Sequence, residues 1–264
     1  MASGMKRLNT KRLVLAMAAA MCLAGSAQAG KLNDLLNSAG LKDAGSTAIT
    51  GLTLTDAQVV ELGAKSVAQM DKENPVADAS DAYAKRLAKL SQGMEREDGM
   101  QLNFKVYLVK DVNAFAVPDG SVRVFAGLMD LMPDDAELMS VIGHEIGHVK
   151  YGHSKEHYRA AYLSSAARKG VAAMGGTVGK LAASDIGAIG EAAVNAKFSR
   201  ANETQADEYG VDVLRRHNMD PNASVRGMQK LAAQDGKAKT SFLDDHPASQ
   251  ERVTHLQKYI ARKK

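Results

Sequence analysis

The spacing of apolar positions divides the chain into an early helical stretch, a short extended region and a long helical remainder. From Thr55 the apolar residues recur at helical intervals through about Met70, with Thr55-Asp56 as a capping start. Asn74-Pro75 interrupts the pattern, and a second helix is expected from about Val76 to Ser91, stopping at Gly93. Leu102 to Val109 then alternates and carries Phe104, Val106 and Leu108 on one side, which reads as a strand. Asn113 to Val117 is a shorter strand candidate. Pro118-Asp119-Gly120 is a turn, and Ser121 to Phe125 returns as a third strand.

Beyond Pro133 the pattern is helical almost to the end. Asp134-Asp135-Ala136-Glu137 combines an Asp cap with a glutamate three residues on, ahead of an apolar run. The helix this predicts, about Asp135 to Tyr151, lines up Leu138, Val141, Ile142, Ile146 and Val149. Further helices are expected at about 199–217, 221–234 and 248–261, with Asn218-Met-Asp-Pro221 as a turn. The Gly- and Ala-rich segment 170–190 has no readable period and suits a hairpin or lid. Residues 30–53 form a loose lead-in. The sum is an α+β, mainly α domain over 54–264, a small sheet beside a helical bundle.

Composition narrows the class. An apolar share of 45% and a charged share of 24% are ordinary for a globular chain, and a single cysteine excludes a disulfide scaffold. No run of eighteen apolar residues appears, so no transmembrane span is expected in the mature chain. Residues 1–29 have a basic start, an apolar run from Leu13 to Ala24 and the small-x-small end Ala27-Gln28-Ala29, which predicts a signal peptide cleaved after Ala29. Lipid attachment at Cys22 is disfavoured, because Met21 stands where that processing wants a small residue. The net charge of +4 follows from the same segment. It holds Lys6, Arg7, Lys11 and Arg12 and no acid, leaving 30 basic against 30 acidic residues. A nucleic-acid binder is therefore not indicated, and no Lys/Arg stripe supports one. Without Cys22 a metal site must use nitrogen and oxygen ligands.

His144-Glu145-Ile-Gly-His148 falls within the capped helix. Residues four apart share a helix face, so both imidazoles reach one ion, and Glu145 is placed to hold a water as general base. A catalytic zinc needs a third ligand and an open position. His153 lies about 500° round a continuing helix from His148, off the ligand face. It reads as a supporting or surface group, and His157 is weaker still. Glu203 and Asp207 are four apart on one face; one carboxylate can bind the metal while the other accepts the distal N–H of a ligand histidine. Pairing of Glu203 with Arg200 on a solvated helix is the bland alternative.

Four blocks occur in order: Asn113-Ala-Phe-Ala-Val-Pro-Asp-Gly120, His144-Glu145-x-x-His148, Arg200-x-x-Glu203-x-x-x-Asp207 and His246-Pro-x-Ser249-x-x-Arg252. Together they resemble the HtpX- and CAAX-prenyl-protease-type gluzincin zinc metallopeptidases, in their soluble periplasmic BepA/LoiP-like branch. The resemblance implies a gluzincin (zincin-like) fold and one Zn2+ held by His144, His148 and Glu203. It implies endopeptidase action with Glu145 as base, often on misfolded or misassembled envelope proteins, with outer-membrane assembly machinery as a partner to test. It also implies that the strand carrying Asn113, Ala114, Phe115 and Ala116 edges the cleft, where extended substrate can add as a further strand. His246 and Arg252 are expected near the metal. His246 either stabilises the oxyanion or binds as a fourth ligand and holds the enzyme latent; Arg252 either pairs with a carboxylate such as Asp207 or packs helices. The alternative to an enzyme is a chaperone-like module that holds unfolded polypeptide in the same cleft.

Overall fold

The computed structural model describes residues 54–169, 181–234 and 241–262. The expected signal peptide, Cys22, the lead-in and the last two lysines lie outside them. Helix α1 (Asp56–Glu73) begins with a reciprocal cap: Thr55 Oγ1 accepts from the Gln58 amide and Gln58 Oε1 accepts from the Thr55 amide. It runs three residues past Met70, to Glu73, and the cap residue Asn74 turns extended ahead of Pro75. The second helix starts later than expected. Residues after Pro75 join the sheet first, with Val76 bridging Tyr107 and the Ala77 amide bonded to the Val106 carbonyl, 2.9 Å. Only at Asp81, whose carboxylate caps Tyr83, does α2 (Ala82–Leu90) begin.

A hairpin of β1 (Arg96–Glu97) and β2 (Met100–Gln101) follows. Its turn residues Asp98 and Gly99 both have positive φ, 49° and 81°, as a tight two-residue Asp-Gly turn requires. The main sheet has β3 (Asn103–Tyr107), β4 (Ala114–Ala116) and β5 (Ser121–Phe125) in the order β3-β5-β4. β3 runs parallel to β5 and β4 antiparallel to it, so β4 is an edge. Leu108 lies past the end of β3 and is 40% exposed, so it does not share the buried side with Val106.

Short α3 (Ala126–Leu131) leads to α4 (Asp135–Lys150), whose cap Asp134 accepts from the amides of Ala136 and Glu137. Every residue of α4 from Glu137 to Val149 is buried, which makes it the axis of the molecule. Gly152, at φ 77°, ends that segment, and α5 (His153–Lys169) departs in a new direction. The expected hairpin over 170–190 is a helix for its second part: α6 (Ala183–Val194) packs on α1 and α5. Contact with α1 is tight enough that a Cβ on Gly190 would lie 2.4 Å from Ser66 Cβ. Residues 170–180 lie outside the described residues. Then come α7 (Arg200–Arg216), α8 (Ala223–Ala232), α9 (Phe242–Asp245) and α10 (Gln250–Arg262).

The apolar interior has three parts. The largest lies between the sheet, α4 and α7, and includes Val106, Val122, Val124, Leu138, Ile142, Ile146 and Val213. A second joins α1, α5 and α6 around Tyr107 and Phe115, and a third joins α7, α8 and α10 around Val211 and Leu256. Among the described residues no helix is long and apolar enough to cross a membrane.

Candidate metal centre

The centre is made where α4 and α7 cross. Glycines permit the approach: a Cβ on Gly143 would lie 3.0 Å from Gly210 Cα, and one on Gly147 would lie 3.1 Å from Ala206 Cα. Gly143, Gly147 and Ala206 directly adjoin His144, His148 and Asp207, so the two backbones meet where His144 and His148 face Glu203 and Asp207.

His144 Nε2 and His148 Nε2 stand 3.0 Å apart. Glu203 Oε1 is 3.4 Å from His148 Nε2, and Oε2 is 3.6 Å from His144 Nε2. His246, the last residue before Pro247, brings Nδ1 to 3.2 Å from His144 Nε2 and 3.0 Å from Glu203 Oε1. These four side chains offer donor atoms all within 4.8 Å of one another. Donors on one tetrahedral zinc at about 2.0–2.1 Å stand about 3.4 Å apart, so the spacing suits one ion.

The surroundings set the protons to match. Asp207 Oδ1 accepts from His144 Nδ1 at 2.9 Å, which leaves the His144 Nε2 lone pair pointing into the cluster. Arg252 grips Asp207 with two bonds, Nε to Oδ2 at 2.8 Å and Nη2 to Oδ1 at 2.7 Å, and its Nη1 lies 2.5 Å from Glu203 Oε2. Burial pushes both carboxyls up, yet the Arg252 charge holds Asp207 below the usual carboxylate range. For Glu203 the same burial is outweighed by His144, His148 and His246, and it stays ionised. Burial drives His148 well below the ordinary histidine range, so it is a neutral donor.

Glu145 is 2% exposed, and its Oε1 has no hydrogen-bond partner among the described residues. His246 Nε2 stands 3.6 Å from that oxygen. Burial pushes the Glu145 carboxyl above its ordinary range, with His246 and His144 opposing. An orphaned carboxylate oxygen beside a three-histidine, one-carboxylate cluster is what a cation and its water would satisfy, and the donor set fits zinc.

The structure brings together His144, Glu145, His148, Glu203, Asp207, His246 and Arg252. The alternative partner of Glu203 is not used: Arg200 is exposed and lies 3.7 Å from Glu251. Asn113, Ala114, Phe115 and Ala116 lie at the edge strand, and Phe115 and Ala116 line a small cavity of about 10 Å³ shared with Glu145, Tyr158, Phe198 and His246. Asn113 itself turns to Ser241, 2.9 Å away. Several contacts have no spacing signal in the sequence. Phe198 stacks on His148 at 3.7 Å and on His157 at 4.1 Å, and Phe242 stacks on His246 at 4.6 Å. His153 is buried, with its Nδ1 3.1 Å from His148 Nδ1.

The buried motif helix, edge strand and acidic second helix define a zincin-like metallopeptidase. The sequence model of peptidase family M48 matches residues 78–260, and the chain belongs to that family. It is a metalloendopeptidase. Among its relatives, metalloprotease LoiP of Escherichia coli (strain K12) is 39% identical over 250 residues, 94% of this chain and 96% of the relative. Metalloprotease YcaL of the same organism is 38% identical over 255 residues, 96% and 98% of the two chains. A β-barrel assembly-enhancing protease of Yersinia pestis is 35% identical over 146 residues, 50% of this chain and 29% of that one.

Proposed function

We propose that the protein is exported to the periplasm. There, with one Zn2+ held by His144, His148 and Glu203, it hydrolyses peptide bonds in unfolded or misassembled envelope proteins. The observation that carries this reading is the convergence of two imidazole Nε2 atoms and a Glu203 oxygen beside the unpartnered Glu145 Oε1. The Ala27-Gln28-Ala29 site supports export. A relative named for β-barrel assembly supports envelope substrates and contact with outer-membrane assembly machinery.

Zinc, when bound, lowers the pKa of a coordinated water towards about 7 and polarises the peptide carbonyl. Glu145 takes the water proton and returns it to the amine nitrogen as the C–N bond breaks. Asp207 keeps the His144 proton on Nδ1, and Arg252 keeps Asp207 ionised. Extended substrate adds along β4, where main-chain bonds accept any sequence. His246 would supply a fourth donor to the metal, and in that role it would hold the protein latent until it withdraws; the alternative role is a contact to the oxyanion. No observation favours the chaperone-like alternative.

The test is casein cleavage by the purified protein, abolished by a chelator and restored by zinc. Glu145→Gln is expected to retain zinc and lose activity about 10²–10⁴-fold. A Glu145→Gln protein that still cleaves in a clean preparation overturns the assignment.

A further inference from the structure

His153-Ser-Lys-Glu-His157 is a second pair of histidines four apart, five residues after the first. It has the look of a separate ligand pair, but the geometry gives it another use. The His157 ring is hydrogen-bonded to the Ala193 backbone and stacked on Phe198, and His153 faces the other way, into the back of His148. Gly152 makes this possible: its positive φ starts α5 afresh, so His153 is not carried round the α4 axis away from the cluster.

We propose that His153, held by Gln205, is a positioning residue that fixes the tautomer of His148 and keeps its Nε2 free for the metal. The inference rests on the metal-binding reading above. Gln205 Oε1 lies 3.1 Å from His153 Nε2 and can only accept, so that nitrogen carries the proton. A neutral His153 then presents a lone pair at Nδ1. The facing atom, His148 Nδ1 at 3.1 Å, must donate, because two bare nitrogens would repel and two N–H groups would clash. With its proton at Nδ1, His148 has a lone pair at Nε2 that converges with the His144 Nε2 lone pair, 3.0 Å away, on the place a cation would take, and the cation offsets the repulsion of that bare pair. Run in reverse, the chain would put a proton on His148 Nε2 and aim it at the cluster. Asp207 does for His144 what Gln205 and His153 do for His148. One ligand is set by a carboxylate on α7, the other by an amide on α7 acting through a ring on α5. Phe198, 3.7 Å from the His148 face, holds the ring plane while His153 holds its edge.

The experiment measures zinc affinity by competition with a chromophoric chelator, using zinc alone as probe. It is paired with nitrogen-15 NMR of the histidine tautomers in zinc-free protein. His153→Leu is expected to bind zinc about 10–100-fold more weakly. His153→Asn, which places an acceptor oxygen where Nδ1 stood, is expected to recover most of that loss. Gln205→Leu is expected to weaken binding to a smaller degree. In zinc-free protein, wild type is expected to show a larger Nδ1-protonated share of His148 than Gln205→Leu does. If His153→Leu does not fold, the Asn and Gln205 variants and the wild-type tautomer still decide. Three results overturn the inference: undiminished zinc affinity in both His153→Leu and Gln205→Leu, an Asn variant as weak as the Leu variant, or a share of Nδ1-protonated His148 no larger in wild type than in Gln205→Leu. A wild type that takes up no zinc overturns the functional reading as well, which separates that failure from failure of this inference alone.

Discussion

Arg252 sets its guanidinium between two buried carboxylates, 2.5 Å from Glu203 and 2.7 Å from Asp207. Replacing it with Leu leaves both acids without their common cation, and breaking a buried pair in this way costs about 3–5 kcal/mol. Zinc, held by Glu203 as proposed, would supply positive charge to that carboxylate. Arg252→Leu is therefore expected to lower the unfolding temperature of the metal-free protein more than that of the zinc-loaded one. Equal losses in the two forms would show that Arg252 only packs helices. Asp71 carries the same logic away from the site. It accepts from Arg123 Nε and Nη2, Lys105 and Tyr107, and Arg123 is 2% exposed. Burial raises the Asp71 carboxyl, these partners outweigh it, and it settles at about 2. A depressed pKa stabilises the fold above the unfolded value near 3.8 and loses that effect as pH falls through about 2. Asp71→Asn is expected to cost about 3 kcal/mol at pH 7. The gap to wild type should narrow between pH 4 and 2, read by denaturant unfolding at several pH values.

At the scale of elements, what could be read in advance was what local chemistry decides. The Thr55 and Asp134 caps, the period-two stretch of β3 and the helical period of α4 and α7 each lie within a few neighbouring residues. The start of α2 was misplaced because residues 76 and 77 are claimed by β3, a contact between distant segments that no periodicity carries. The β1–β2 hairpin was missed although Asp98-Gly99 is its turn signal, because two-residue strands have no alternation to see. The glycines of the α4–α7 crossing are visible in the sequence only as small residues near the site blocks, and their meaning depends on which helix arrives opposite. That gives a comparison between two substitutions. Gly210→Ala puts a Cβ 2.8 Å from the Ser140 carbonyl oxygen, a backbone atom that cannot swing aside. It is expected to cost about 1–3 kcal/mol and to weaken zinc binding, since Glu203 and Asp207 ride on the displaced helix. Gly99→Ala meets nothing within 4 Å and suffers only its positive φ of 81°. It is expected to cost about 1 kcal/mol and leave zinc affinity unchanged. Calorimetry with chelator competition separates the two. Equal zinc affinity in both variants would refute the link between helix spacing and the centre.

At the scale of the whole molecule, the order of the four blocks indicates which residues meet, and it leaves open whether His246 closes the centre or serves the oxyanion. His144 is 4% exposed, His148 0%, Glu203 3% and His246 3%, so no polypeptide reaches Glu145 in this arrangement. Among the described residues two segments close it, the turn carrying Phe198 and the turn carrying His246, and they touch through the Phe198 amide and the Asp245 carbonyl at 3.4 Å. Closure of this kind arises from loops that converge only after the helices have packed, which is why spacing within one segment cannot reveal it. The two closing residues are expected to behave differently. His246→Ala removes the fourth donor and spares the other three. If closure limits turnover, casein hydrolysis should rise severalfold with zinc affinity only modestly reduced. Lost activity with zinc still bound would assign His246 to the oxyanion, and an unchanged rate would remove it from both roles. Phe198→Ala also opens the cover, but it takes away the ring stacked on His148. Its gain in rate should be smaller and accompanied by weaker zinc binding, because the same side chain both closes the cleft and steadies a ligand.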